Sequence, residues 1–237
     1  KARLDYSCAL FDAKGELCAQ AAHIPVHLGS MAFALAGIVN LFDWQEGDIV
    51  ILNDPFLGGT HLPDVTVLAP VFLENSAENN LAGFVVNRAH HANIGSDSPG
   101  SMPNSSTLEE EGLVISPQYL YQQGKLNQEL ADLLRSLIKN PDDNSEELGA
   151  EGYEKIGGDF SAQLSALYTG QQRLLDLINN LGFSGFQNAL EELNNYGESL
   201  AEDALKKIPS GNYSFEDVMD DDGLGNNKLP IKLKISL

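Results

Sequence analysis

Two mainly apolar stretches, residues 6–11 and 16–21, flank the polar Asp12-Ala13-Lys14-Gly15. Glycine stands where such a turn needs positive φ, so the pattern predicts a β-hairpin. His23-Ile24-Pro25-Val26-His27-Leu28-Gly29 is too punctuated for a helix, whereas residues 31–42 carry small and apolar side chains at helical spacing and predict a buried helix. Residues 48–52 form a short apolar run that fits a buried strand, and residues 53–60 form a loop by their turn residues. Residues 65–73 and 81–89 read as strands joined by a polar stretch. A Ser/Pro/Gly/Asn-rich loop covers 98–107.

Further on, Leu130, Leu133, Leu134 and Leu137 mark an amphipathic helix over 127–140, stopped at Pro141. Residues 159–181 and 186–208 predict two long antiparallel helices with Gly182 and Gly185 between them. Residues 213–218 and 229–237 are strand-like around Asp220-Asp221-Asp222-Gly223. Together the elements predict an α+β fold: hairpin-built β-sheets, a helical section and returning C-terminal strands. The expected division is an α+β domain over 1–140, a linker or mobile loop over 141–158, and a helical pair with C-terminal strands over 159–237.

Pairing residues 65–73 antiparallel with 81–89 around their connecting loop sets Asp64 opposite His90, with Cα atoms ~4.5–5.5 Å apart. His61 follows at the same end. Alternation puts His90 on one face with Arg88 and Val86, and turns His91 to the other.

Composition narrows the function. The chain has 237 residues, 34 acidic against 14 basic, and a formal charge of −20. Nucleic acid needs a basic face, and no Lys/Arg run supplies one; an anionic membrane is disfavoured for the same reason. No apolar run approaches the ~20 residues of a membrane span, and no signal-peptide pattern opens the chain. Cys8 and Cys18 are too few for a disulfide framework, so reduced thiols and a cytoplasmic location are expected. The chain opens without methionine and closes on an alternating stretch, so it reads as a piece of a longer protein.

All five histidines lie at or before His91. His61-Leu62-Pro63-Asp64 follows the Gly58-Gly59 turn, and Pro63 argues against a mid-helix position. A histidine bonded to an aspartate without metal fits that spacing as well as a metal pair does. His90 from the adjoining strand end turns the balance toward a two-His, one-carboxylate metal set, which leaves positions open for water and substrate. That set does not choose among zinc, manganese and iron. His23-x-x-x-His27 spans Pro25 and is no helical metal pair. Loop histidines bonded to backbone are the commoner reading; proton carriers lining a pocket are the functional one. Cys8, in an apolar strand without an evident cation, is a poor nucleophile. The acidic runs Asp220–Asp222 and Glu109–Glu111 read as solvated surface. No phosphate-binding loop occurs, so any ATP would be held by another chain.

Several motifs then resemble one family in order: Asp5-Tyr6-Ser7-Cys8-Ala9-Leu10-Phe11-Asp12, His23 through Met31, Asn53-Asp54-Pro55, and Gly58 through Val65. Asn87-Arg88-Ala89-His90-His91, Pro99 through Pro103, Glu111-Gly112, and Phe215-Glu216-Asp217 with Asp220 through Gly223 continue the series. The chain resembles the N-terminal part of the hydantoinase B/oxoprolinase family. The resemblance implies a component of an ATP-dependent cyclic-amide hydrolase, opening a lactam or hydantoin ring after activation by a hydantoinase A-type ATPase subunit. It implies one divalent metal on His61, Asp64 and His90, by similarity to related acetone and acetophenone carboxylases, with His23, His27 and His91 lining the pocket. An ATP-driven carboxylase subunit, or a non-catalytic subunit that docks the ATPase, are the alternatives. The sequence departs from the family pattern at Asn93-Ile94-Gly95-Ser96, where Asp-Ile-Gly-Gly is common. It departs again at Asp159-Phe160-Ser161-Ala162-Gln163, where Asp-Leu-Arg-Ala-Gln is usual.

Overall fold

The computed structural model describes residues 5–22, 24–73, 81–96, 98, 103–137 and 156–237. The elements are β1 (Tyr6–Asp12), β2 (Leu17–Ala22), α1 (His27–Ile38) with a 3-10 turn (Val39–Leu41), β3 (Ile49–Leu52), β4 (Asp64–Phe72) and β5 (Leu81–His90). They continue with α2 (Leu108–Glu111), β6 (Gln118–Gln122), β7 (Lys125–Leu126), α3 (Gln128–Leu137), α4 (Gly158–Leu181), α5 (Phe183–Leu205), β8 (Asn212–Asp221) and β9 (Asn227–Ser236). The fold is α+β. Strands run antiparallel in the order β2-β1-β5-β4-β3-β6-β7, and β8-β9 form a separate hairpin. The linker expected over 141–158 lies outside the described residues as far as 155.

Both faces of the large sheet are covered, which is why β3 reads Ile-Val-Ile-Leu with no polar position. Ile49 and Ile51 enter one core with Val65, Val67 and Ala69; α3 and α4 close it with Leu130, Leu134, Phe160, Leu164 and Leu167. Val50 and Leu52 enter the other with Leu68, Phe84 and Val86, closed by Met31, Ala34, Leu35 and Ile38 of α1. Removing side chains of this size from water supplies the main driving force, roughly 1.5–3 kcal/mol for each fully buried Val, Leu, Ile, Phe or Met.

The β4–β5 register is the antiparallel pairing expected of two strands adjacent in sequence: Asp64 faces His90, Thr66 faces Arg88 and Ala69 faces Val85, with an irregularity only between Val71 and Phe72. α1 starts earlier than its spacing predicts, at His27, but Leu28 (ψ 129°) and Gly29 (φ 74°) are non-helical, so regular turns follow Gly29. The β6–β7 hairpin and the four-residue α2 are additions to the predicted set. β6–β7 turns through Gln123 (φ 50°) and Gly124 (φ 76°), two successive left-handed residues as a tight hairpin turn requires. Among the described residues no helix is long and apolar enough to cross a membrane.

Candidate metal centre

The centre lies where the turn before β4, the end of β5, the start of β1 and the start of α1 meet. Asp64 opens β4 behind a folded turn: its N–H donates to His61 O at 3.0 Å, and His91 N–H donates to Pro63 O at 2.8 Å. The turn therefore stacks His61 over Asp64 while fixing it to the end of β5. Behind it, buried Asn53 donates to Leu62 O and Leu113 O (both 2.8 Å) and accepts from Ile115 N–H at 2.6 Å. Gly59 must lack a side chain, because a β-carbon there would strike the carbonyl oxygens of Asn53 and Asp54.

Arg88 ties the loop to the framework. It is fully buried, and its guanidinium donates to Thr66 Oγ1 (2.8 Å), Ser30 Oγ (3.0 Å) and Gly58 O (2.8 Å). One side chain thus joins β4, β5, α1 and the Gly58-Gly59 turn. Burial lowers its pKa from the ordinary value, and the Asp64 charge acts in the opposite sense.

Asp64 is 3% exposed and its two oxygens meet different neighbours. Oδ2 accepts from Thr60 Oγ1 at 2.6 Å and lies 3.3 Å from His27 Nε2. Oδ1 lies 2.9 Å from His61 Nε2 and 3.3 Å from His90 Nδ1, yet it is buried without a hydrogen bond of acceptable geometry. The two imidazole nitrogens therefore converge on one carboxylate oxygen. The ligand atoms of His61, Asp64 and His90 all fall within 4.8 Å of each other. Two imidazoles and a carboxylate suit a divalent transition metal, and an orphaned buried carboxylate oxygen is the acceptor that such an ion would satisfy. Burial works to raise the Asp64 pKa, but close polar contacts from His27, His61 and Thr60 outweigh it and hold the group well below the carboxylate range. The Asp64 contact raises the pKa of His61, against burial.

His27 is fully buried. Ser7 Oγ lies 2.8 Å from its Nδ1, and its Nε2 faces Asp64 Oδ2. With Asp64 ionised, Nε2 carries the proton and Ser7 donates to Nδ1, so the tautomer is fixed from both sides. Asp5 completes the surroundings: its Oδ2 lies 3.8 Å from His90 Nδ1, and Asp5, His27 and Asp64 form a second group of converging ligand atoms.

His91 goes elsewhere. It packs on Phe160 with ring centroids 4.3 Å apart, and its Nε2 lies 2.8 Å from Gln163 Oε1. Gln163 Nε2 donates to Val65 O and Asn87 Oδ1, so its oxygen accepts and His91 Nε2 donates. Burial lowers the His91 pKa, which suits a neutral ring bracing α4 against β5. His23 lies outside the described residues.

The hydantoinase B/oxoprolinase family matches residues 1–237. The chain belongs to the hydantoinase B/oxoprolinase family. It is 41% identical to a 5-oxoprolinase of Saccharomyces cerevisiae over 175 residues, covering 73% of this chain and 13% of that protein. It is 34% identical over 224 residues to a Pseudomonas protein provisionally named as the B component of a D-/L-hydantoinase, covering 91% of this chain and 35% of that one. The crystal structure of an ATP-dependent caprolactamase from Pseudomonas jessenii superposes with a TM-score of 0.83 at 29% identity, covering 98% of this chain and 38% of that chain. The chain therefore spans about a third or less of the two curated relatives it matches here.

The sequence reading missed Asp5, Ser7, Thr60 and Arg88 as site residues, although all four lie within the family motifs. Asp5 comes to the site through backbone pairing distant in sequence: His90 N–H donates to Asp5 O at 3.0 Å, continuing the β1–β5 ladder.

Proposed function

We propose that this chain is the metal-bearing part of an ATP-dependent cyclic-amide hydrolase component, with His61, Asp64 and His90 holding one divalent ion. The observation that carries the reading is the convergence of two imidazole nitrogens on the buried Oδ1 of Asp64, an oxygen with no hydrogen bond of acceptable geometry. Family membership supports the reaction class, as do the names of relatives described as 5-oxoprolinase, the B component of a hydantoinase, and ATP-dependent caprolactamase.

A divalent ion held there would supply Lewis-acid polarisation of a carbonyl. The protein's own residues do the rest. His27, oriented by Ser7, holds Asp64 Oδ2 and leaves Oδ1 directed at the shared point. Thr60 adds a second donor to Oδ2, and Arg88 keeps the Gly58-Gly59 turn seated. His61 is the most exposed of the three ligands, its side chain 32% accessible against 12% for His90, and so borders the side from which a ring would approach. No phosphate-binding loop occurs in the sequence, so activation by ATP is assigned to a hydantoinase A-type partner subunit.

The test is reconstitution with that ATPase subunit and a hydantoin or lactam. The account predicts ATP-dependent ring opening that His61→Ala reduces by at least about a hundredfold, since removing even a residue that supports a metal ligand costs 10–100-fold. Undiminished ring opening in His61→Ala would refute it.

A further inference from the structure

A groove leads away from the metal centre along α4. Its first part, about 340 Å³, is bordered by Asp5 and His90 at the centre, by Tyr6 and Cys8 of β1, and by Ala162 and Ala166 of α4. Cys8, Asn87 and Ala166 also border a second part of about 700 Å³, which continues past Leu10 and Ala21 to Arg173. The two parts share these walls, and the first reaches the centre at His90 and Asp5, with His61 and Asp64 outside its lining.

The chemistry of the walls is one-sided. Asn87 and Gln163 are turned to each other, with Asn87 Nδ2 donating to Gln163 O and Gln163 Nε2 to Asn87 Oδ1, and Gln163 is further engaged by Val65 and His91. The Arg88 guanidinium is spent on Thr66, Ser30 and Gly58. Asp5 and Asp159 put two carboxylates at the end next to the centre, while Arg173 stands only at the far end. An anionic group entering beside the centre meets like charge there and, among the described residues bordering that end, no uncommitted Lys or Arg. An apolar group meets Cys8, Leu10 and the exposed methyls of Ala162 and Ala166.

We propose that this groove is the subsite for the ring substituent of the cyclic amide, selecting an uncharged apolar substituent over an anionic one. The proposal rests on the metal-centred ring opening argued above, which places the ring at its mouth. Small-residue walls determine the selectivity: Ala166 is where a larger side chain would close the passage between the two parts.

Equilibrium binding to the purified zinc-loaded protein, by calorimetry, tests it with hydantoin, 5-benzylhydantoin and hydantoin-5-acetate. The expected result is that the benzyl compound binds at least about tenfold more tightly than hydantoin, the scale of discrimination an apolar pocket provides, and that the acetate binds more weakly than either. Ala166→Trp abolishes the benzyl preference, whereas Tyr168→Ala, on α4 outside the groove, keeps it. Equal binding of benzyl and unsubstituted rings overturns the subsite and leaves the metal-centred reading standing. So does a benzyl preference that survives Ala166→Trp, which would mean that the substituent lies elsewhere. Binding by none of the three rings overturns the subsite, while the metal content of the protein decides the centre independently.

Discussion

Arg88→Met tests how the site is held. The substitution keeps an unbranched chain in a fully buried position but removes three donors, to Thr66 Oγ1, Ser30 Oγ and Gly58 O. Ser30 Oγ keeps its bond to Val26 O at 2.6 Å. The Gly58 carbonyl loses its guanidinium donor, and an acceptor left unmatched in the interior costs about 1–3 kcal/mol. Asp64 also loses a buried counter-charge. No ion pair joins the two side chains, so this lost attraction is small and is offset because Arg88 itself no longer needs desolvating. A net loss of about 2 kcal/mol follows, which for a chain of this length lowers Tm by roughly 4–8 °C. Calorimetric melting measures it. Metal affinity should fall as well, by about 10–100-fold, because the Gly58-Gly59 turn leads directly into His61. A variant that melts within about 2 °C of the parent and binds metal equally well would show that the buried guanidinium does not organise the centre.

Other perturbations separate the contributions. Ser7→Ala removes the donor that fixes the His27 tautomer, and chelator competition should show metal affinity reduced about tenfold; the buried Nδ1 left unmatched costs about 1–3 kcal/mol, so Tm should fall by roughly 2–12 °C. Gly59→Ala drives a methyl into the carbonyls of Asn53 and Asp54, so urea unfolding should show a loss of about 1–3 kcal/mol. In chelator-treated protein the depressed Asp64 pKa contributes stability fully present above the ordinary carboxylate value of 3.8 and lost as pH falls below it. Urea unfolding between about pH 2 and 6 should therefore show an acid-side slope that Asp64→Asn lacks. An equal slope in both proteins would refute the depressed value.

What could be read from the sequence was what local pattern controls. Antiparallel pairing of residues 65–73 with 81–89 about their connecting stretch set the β4–β5 register, and with it the approach of Asp64 to His90, because the two strands are neighbours in sequence. Side-chain alternation along β5 separated His90 from His91. Asp5 and Ser7 were not legible, since β1 pairs with β5 across most of the sheet-forming chain and nothing local announces that partner. His27 reads as a loop histidine because Pro25 and Gly29 flank it. Its burial depends on Ser7 and Asp64 arriving from two other elements. The partner of His91, Gln163, lies beyond residues 138–155 in sequence and on a helix whose inward face is otherwise largely apolar, so no spacing rule links them. The β6–β7 hairpin escaped because only Leu120 and Tyr121 of its strands are buried, too few for a period to register.

Metal analysis of the purified protein beside Asp64→Ala addresses the centre most directly. The account predicts about one divalent ion per chain in the parent, and in Asp64→Ala a content near background with the circular-dichroism spectrum retained. An ion-free parent after growth and dialysis in zinc, manganese and iron, or a folded Asp64→Ala that keeps its ion, would contradict it.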